Sequence, residues 1–417
     1  MKKTLKFFVV LQLLFSVQSF AQEEDAGGSP YSIFGIGDIL SFSSSRAYSM
    51  GILGTSLFGN YVNSYNPAAL AKLRFTDITF AMNYGFINSE NSSSSTELSD
   101  GNVLGFNIGI PISQGSGWVM ALGFNPVTIV NTKVKISGNA GERNYEQTYS
   151  SKGGLSRINA GMSYTLLQKL TLGLEYNYGF GEIKSQNFID FNNANFTNTN
   201  IKKELDFNKS YMKAGAILEV GKIFRSISFR DFTIGFAYQS AFGLNSSEQG
   251  IYGSSISIDT TNLGTGVLEV PSQMSFGLTN VFGGRYVVSG DFVMQDWGNF
   301  SDKTSPNVEL SSSYRGGLGI EINPSRDALS FFQRMTYRLG GFYEKSFYQV
   351  AGTDINSWGV RAGVNIPMSD YSSLDLGVNF SQRGTTSNGL VRDQFLNFTA
   401  TINFGELWFI RPREEDL

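Results

Sequence analysis

From Ile78 to Phe404 the chain places apolar side chains at every second position over short runs. Ile78, Phe80, Met82, Tyr84 and Phe86 alternate with Thr79, Ala81, Asn83 and Gly85. Leu170, Leu172, Leu174, Tyr176 and Tyr178 form another run. Leu396, Phe398, Ala400, Ile402 and Phe404 form the last, against Asn397, Thr399, Thr401 and Asn403. A period of two marks β-strands. The second face of a soluble sheet is usually charged, whereas here it is mostly Gly, Asn, Ser and Thr. Strands with lipid on one face and water on the other carry this pattern, and about fourteen runs occur, an even number as in single-chain bacterial barrels. Connections after odd-numbered runs read as long: Asn88–Asn102, Ser137–Gly154, Lys184–Ser210, Gly243–Ser272 (which takes in Ile251–Asp259), Trp297–Ser312, Lys345–Asn356 and Arg383–Gln394. Those after even-numbered runs read as short, such as Ile112–Gly117, Leu167–Lys169, Gly221–Asp231 and Asn323–Arg334. Long outer loops and tight periplasmic turns segregate in this way.

The stretch from Ser45 to Leu73 breaks the alternation. Gly51, Gly54 and Gly59 interrupt any long helix or strand. Asn66 reads as a helix cap, Pro67 as the first helical residue, and Ala68 follows. Tyr31–Gly37 is apolar and glycine-rich and belongs with this segment. The expectation is an all-β fold: a transmembrane antiparallel barrel over 77–409, with 22–76 as a plug, or hatch, inside its lumen. The competing reading is a capped N-terminal lobe on a soluble β protein.

Composition narrows the chemistry. Lys2, Lys3 and Lys6 precede an apolar run, and Ser19-Phe20-Ala21 is a small-x-small site, so 1–21 reads as a secretory signal peptide. No later run reaches about eighteen apolar residues, so no transmembrane helix is expected. There is no cysteine and no histidine. Disulfides, thiolate metal sites and Ser-His-Asp hydrolysis are excluded. No cofactor or metal is expected, and the chain reads as a non-enzyme. The 32 Lys+Arg face 35 Asp+Glu, so nucleic-acid binding has no electrostatic support. Residues 410–417 read as an acidic periplasmic tail.

Three motifs now converge. Arg46-Ala47 to Met50-Gly51, followed by Asn66-Pro67-Ala68, resembles the hatch of the FadL family of outer-membrane hydrocarbon and fatty-acid transporters. Gly123-Phe124-Asn125-Pro126 is similar to that family's proline in a kinked third strand. Val270-Pro271-Ser272 through Gly277, then Asp291 and Asp296-Trp297, resembles its Pro–Gly–Asp–Trp segment. The resemblance implies a fourteen-stranded outer-membrane barrel that passes long-chain fatty acids or hydrocarbons, with lateral exit near the third strand. Some relatives in the family carry no lipid and serve as structural or shuttle subunits of larger assemblies, in secretion or barrel-assembly machinery. The expected partners are therefore a hydrophobic small molecule or lipid, the surrounding outer-membrane lipid and other envelope proteins.

Candidate site residues follow. Phe34, Ile36, Met50, Leu53 and Leu57 either line an apolar pocket between hatch and wall or simply pack the hatch. Arg46 inside a lumen needs a carboxylate, since unpaired buried charge is costly. Pro126 cannot donate a ladder hydrogen bond. With Gly123, Phe124 and Val127 it either borders a lateral gap or starts a turn.

Overall fold

In the computed structural model the residues described are 27–408, apart from 34, 114, 141–142, 192–197, 225–229, 255–257, 299–307, 326, 328 and 351. The segments read as signal peptide (1–21) and tail (410–417) lie outside them. Fourteen antiparallel strands close into a barrel. They are β1 (Thr76–Glu90), β2 (Ser95–Ser113), β3 (Trp118–Pro126, resuming as Thr128–Ala140), β4 (Arg143–Leu166), β5 (Leu170–Asp190), β6 (Thr199–Glu219) and β7 (Thr233–Gln239, resuming as Phe242–Ser254). Then come β8 (Ile258–Val270, resuming as Gln273–Phe282), β9 (Tyr286–Asp296), β10 (Val308–Leu310, resuming as Ser312–Ile322), β11 (Thr336–Val350), β12 (Thr353–Pro367), β13 (Ser373–Gly384) and β14 (Arg392–Glu406). The seam is β14 on β1, from Arg392↔Glu90 to Glu406↔Thr76.

Burial is inverted relative to a soluble sheet. Along β5, Leu172, Leu174, Tyr176 and Tyr178 are exposed, while Thr171, Glu175 and Asn177 between them are buried. Arg157, Lys213, Asp291, Arg315, Glu321, Arg338, Arg361 and Asp375 are likewise buried on the inner face. An apolar exterior around a polar interior is how a barrel faces lipid. Closure leaves no exposed edge within the bilayer.

The interior is filled by the N-terminal segment. It contains α1 (Ser45–Ser49), capped by the Ser44 side chain, and a 3-10 turn over Pro67–Lys72. Asn66 caps that turn by accepting from Ala68 N, and Pro67 opens it. Ala47, Met50, Ile52 and Leu57 pack on Val287 of the wall, and Leu70 and Leu73 pack on Val119 and Ala121. The wall makes room with glycine. A Cβ on Gly173 would sit 2.3 Å from Ala68 N, and one on Gly340 would sit 2.0 Å from Met50 O. The Gly-rich second face of the strands is therefore a seat for plug backbone.

The expected loops need correction. Most of Ser137–Gly154, Lys184–Ser210, Gly243–Ser272 and Lys345–Asn356 is strand, including Ile251–Ser254 in β7 and Ile258–Asp259 in β8. Asn88–Asn102 likewise belongs largely to β1 and β2. The ladders run on past the apolar band, where both faces meet water and the period-two signal disappears. Loop length does not segregate by end either: β6–β7 and β10–β11, both at the end where β1 begins, are joined by long connections over 220–232 and 323–335.

Candidate functional site at the broken third strand

β2 and β3 pair only from Ser113↔Trp118 to Phe106↔Phe124. Beyond that point the described part of β2 pairs with β1, and the resumed β3 pairs with β4. The cause is local. Pro126 has no N–H to offer, and Val127 turns aside to donate to Leu155 O of β4 at 2.7 Å. The two strands splay into a wedge above Phe124.

Residues 27–40 occupy that wedge as a strap. Asp38 and Ile39 pair with Ile129 and Thr128, and Leu40 N donates to Val127 O at 2.9 Å. Gly28 N donates to Asn131 O at 2.9 Å, and Gly27 N reaches Ser99 O on β2 at 3.4 Å. The Ser32 and Thr132 hydroxyls lie 2.7 Å apart. From the lumen side Arg383 pairs with Asp38 at 2.8 Å, and Tyr31 OH donates to Val391 O at 2.7 Å.

Below the wedge the strands are held by side chains. Asn107 and Asn125 exchange amide hydrogen bonds at 3.1 and 2.9 Å. Asn125 also donates to Asn159, which donates to Glu175. A Cβ on Gly123 would lie 2.2 Å from Asn107 Oδ1. The small residue there makes space for this amide row.

Between strap, plug and wall lies a cavity of about 120 Å³. Ile36, Leu53, Pro126, Val127, Leu155, Phe242 and Trp297 supply apolar lining. Arg157, Lys213, Arg315, Glu344 and Lys345 supply charge. Arg157 donates to Ser64 O at 2.7 Å and stands 3.5 Å from Glu175, and Lys213 is 3.9 Å from the same carboxylate. Tyr65 of the plug also lines the cavity, and burial pushes its phenol well above the usual range.

The plug is clamped elsewhere by ions. Arg46 donates through Nε and Nη2 to both oxygens of Glu321, each at 2.6 Å, and through Nη1 to Phe58 O at 2.7 Å. Burial opposes the Arg46 charge, but Glu321 outweighs it and holds the guanidinium protonated. Glu321 also accepts from Arg338 at 2.8 Å, and Arg338 bonds Asp375. Asp291 accepts from Leu53 N at 2.7 Å and Gly54 N at 2.8 Å. Arg361 stacks on Tyr48, its guanidinium carbon 3.8 Å from the ring centre.

The structure thus divides the sequence candidates. Ile36 and Leu53 line the cavity, while Met50 and Leu57 pack plug against wall. Phe34 lies outside the described residues. Pro126 and Val127 line the cavity, Phe124 is exposed on the outer face, and Gly123 seats the amide row. Sequence reasoning missed Arg157, Glu175, Lys213, Arg315 and Glu344. Four of them carried a signal: Arg157, Glu175, Lys213 and Arg315 are each a charge in a locally neutral stretch of strand, Glu175 lying between Leu174 and Tyr176, whereas Glu344 adjoins Lys345 and does not stand out. Asn66 both caps the 3-10 turn and donates to Thr55 O at 2.5 Å. Asn66→Ala is therefore expected to loosen the plug by about 1–2 kcal/mol. The check is faster amide exchange over 45–73 with the wall strands unchanged.

A family model for BamG matches residues 1–414. No curated protein matches. A Pseudomonas aeruginosa FadL homologue superposes with a TM-score of 0.60 at 12% identity, covering 88% of this chain and 99% of its own. The Ralstonia pickettii toluene transporter TbuX gives 0.56 at 13%, covering 86% and 99%. The Pseudomonas putida toluene transporter TodX gives 0.55 at 13%, covering 83% and 93%. At such identities the likeness establishes the FadL fold.

Proposed function

The chain belongs to the BamG family, and from that premise we propose that it is an outer-membrane barrel that admits a small hydrophobic molecule and releases it sideways at the broken third strand. One observation carries this reading: Pro126 and Val127 form both the wall of the cavity and the lip of the unpaired wedge. A molecule in the cavity is therefore one layer from the barrel's exterior, just past the exposed Phe124 at the outer margin of the apolar band. Sideways release suits an apolar cargo, because release into water costs about 0.8 kcal/mol per CH₂.

The cavity's size narrows the cargo. A volume of about 120 Å³ is close to the roughly 150 Å³ of an engineered cavity that holds benzene. It suits a single ring or a short chain. A long acyl chain would need the strap or the plug to move. The toluene transporters among the similar structures support the smaller class.

In this reading the strap is the door. The chain has no cysteine, so Ser32→Cys with Thr132→Cys can lock it by one disulfide. The locked protein is expected to lose at least tenfold in uptake of labelled toluene, and reductant is expected to restore it. Undiminished uptake while locked overturns the route. No uptake by the unmodified protein, for aromatic and fatty-acid cargoes alike, overturns transport itself.

A second reading is a closed barrel that transports nothing and serves as a structural or shuttle subunit of a larger outer-membrane assembly. The strap across the wedge and the ion pairs clamping the plug favour it. It is separated from the first by mass spectrometry of purified protein: co-purifying hydrophobic molecules support transport, and stoichiometric envelope proteins support the subunit. Both readings put the extended ends of β3–β8 outside the cell. A protease site inserted after Asn139 is expected to be cut on intact cells, and one at Gln168 is expected to be protected. The opposite result inverts the topology.

A further inference from the structure

On one side of the barrel the ladders continue past the apolar band as a six-stranded sheet. Its strand segments run from Thr128–Ala140 of β3, through β4, β5, β6 and the resumed β7, to Ile258–Val270 of β8. Closure protects the wall below, but this sheet has two outer edges. Among the described residues the strap covers Thr128–Thr132 of the first, through the pairing of Asp38 and Ile39 and the bond from Gly28 N to Asn131 O, and no described strand pairs with the outer side of the rest. No described strand pairs with the outer side of the second. A sheet edge presents a row of backbone donors and acceptors, a template for another strand.

The edges carry opposite charge. The strand at the second edge, Ile258–Val270, carries two acids, Asp259 and Glu269, and no lysine or arginine. The β3–β4 hairpin, 128–155, carries Lys133, Lys135, Arg143 and Lys152 against Glu142 and Glu146. The basic edge has the lysines that commonly guard an edge. The acidic edge has a bulge at Leu263, where the register slips. From Gly264 to Val270 it has no bulge, proline or base, and Val267 there is 61% exposed.

We propose that a second copy of this chain covers the acidic edge with its own basic edge, joining neighbouring barrels by strand addition outside the membrane. Direction supports this occupant. β3 runs outward and β8 runs back, so two copies standing upright in one membrane present these edges antiparallel. Like edges repel, whereas unlike edges attract. The contact is heterologous, so it builds rings or open rows rather than two-fold dimers. It is independent of whether the barrel carries cargo.

The test uses full-length protein in the outer membrane, where every thiol is an introduced one. Val267→Cys is co-expressed with Ser137→Cys, and a short bis-maleimide is added. A product of twice the chain mass is expected from the mixture and not from either variant alone. The protein carrying both cysteines is expected to give a ladder of multiples. Asp259→Lys with Glu269→Lys should cut the yield at least tenfold, and adding Lys133→Glu with Lys135→Glu should restore it. The proposal is overturned by equal product from Val267→Cys alone, by no mixed product from folded barrels, or by insensitivity to charge reversal. A product whose mass fits a different protein also overturns it, by giving the acidic edge another occupant.

Discussion

Deleting residues 22–73 is expected to turn a barrel that conducts poorly into an open one. Eight strands enclose little more than their own side chains, and sixteen leave an aqueous channel. Fourteen strands need something inside, and here it is the segment running from the strap to the 3-10 turn at Pro67–Lys72. With that segment gone, Arg157, Glu175, Lys213, Arg315 and Arg361 line water rather than plug. Single-channel conductance in a planar bilayer should rise by about tenfold or more. Unchanged conductance from a normally assembled deletion would refute the plug. Should the deletion fail to assemble, the intact chain with Ser56→Cys and Thr279→Cys serves instead. Those hydroxyls are 2.7 Å apart across the plug–wall boundary, so oxidation should leave the small conductance unchanged and suppress any rare openings.

Glu321→Ala is expected to be the most damaging single change in the lumen. The carboxylate is almost wholly buried and serves two arginines, one from the plug and one from the wall. Removing it leaves both guanidiniums competing for Asp375 and backbone carbonyls. Breaking a buried pair from one side costs about 3–5 kcal/mol, because a charge is left uncompensated. Arg46→Met should cost less, since the Glu321–Arg338–Asp375 pairs survive it. The measurement is amide exchange over 45–57 in the intact barrel, with the double variant closing the cycle. Equal and small effects, below about 1 kcal/mol, would mean the pairs are incidental.

The barrel was legible because lipid writes its pattern directly on the strands. Leu172, Leu174 and Tyr176 could only face outward together. The plug was legible from Gly51 and Gly54, which interrupt the period-two alternation, and from Asn66–Pro67, which reads as a helix start. The strand extensions were not legible. Asp259 to Val267 is exposed at every position, so nothing alternates and a strand reads as a loop. The clamp on Arg46 was half legible: the need for a carboxylate follows from burial, but its partner lies 275 residues away. Parity says that Glu321 faces inward, and only the curvature of the closed wall says that it faces Arg46. The cavity lay further still from the sequence. It arises where Pro126 diverts one strand and residues 27–40 cover the result, and neither event marks the residues opposite.

The glycines that seat the plug have a consequence for inheritance. Gly173 and Gly340 touch plug backbone, not side chains, so the wall is cast to the path of this particular plug. A graft from a similarly folded barrel would meet glycines in the wrong places and side chains where its own backbone should pass. Plug and wall are thus not interchangeable parts. They can diverge far from their relatives only by changing together, as one unit of descent.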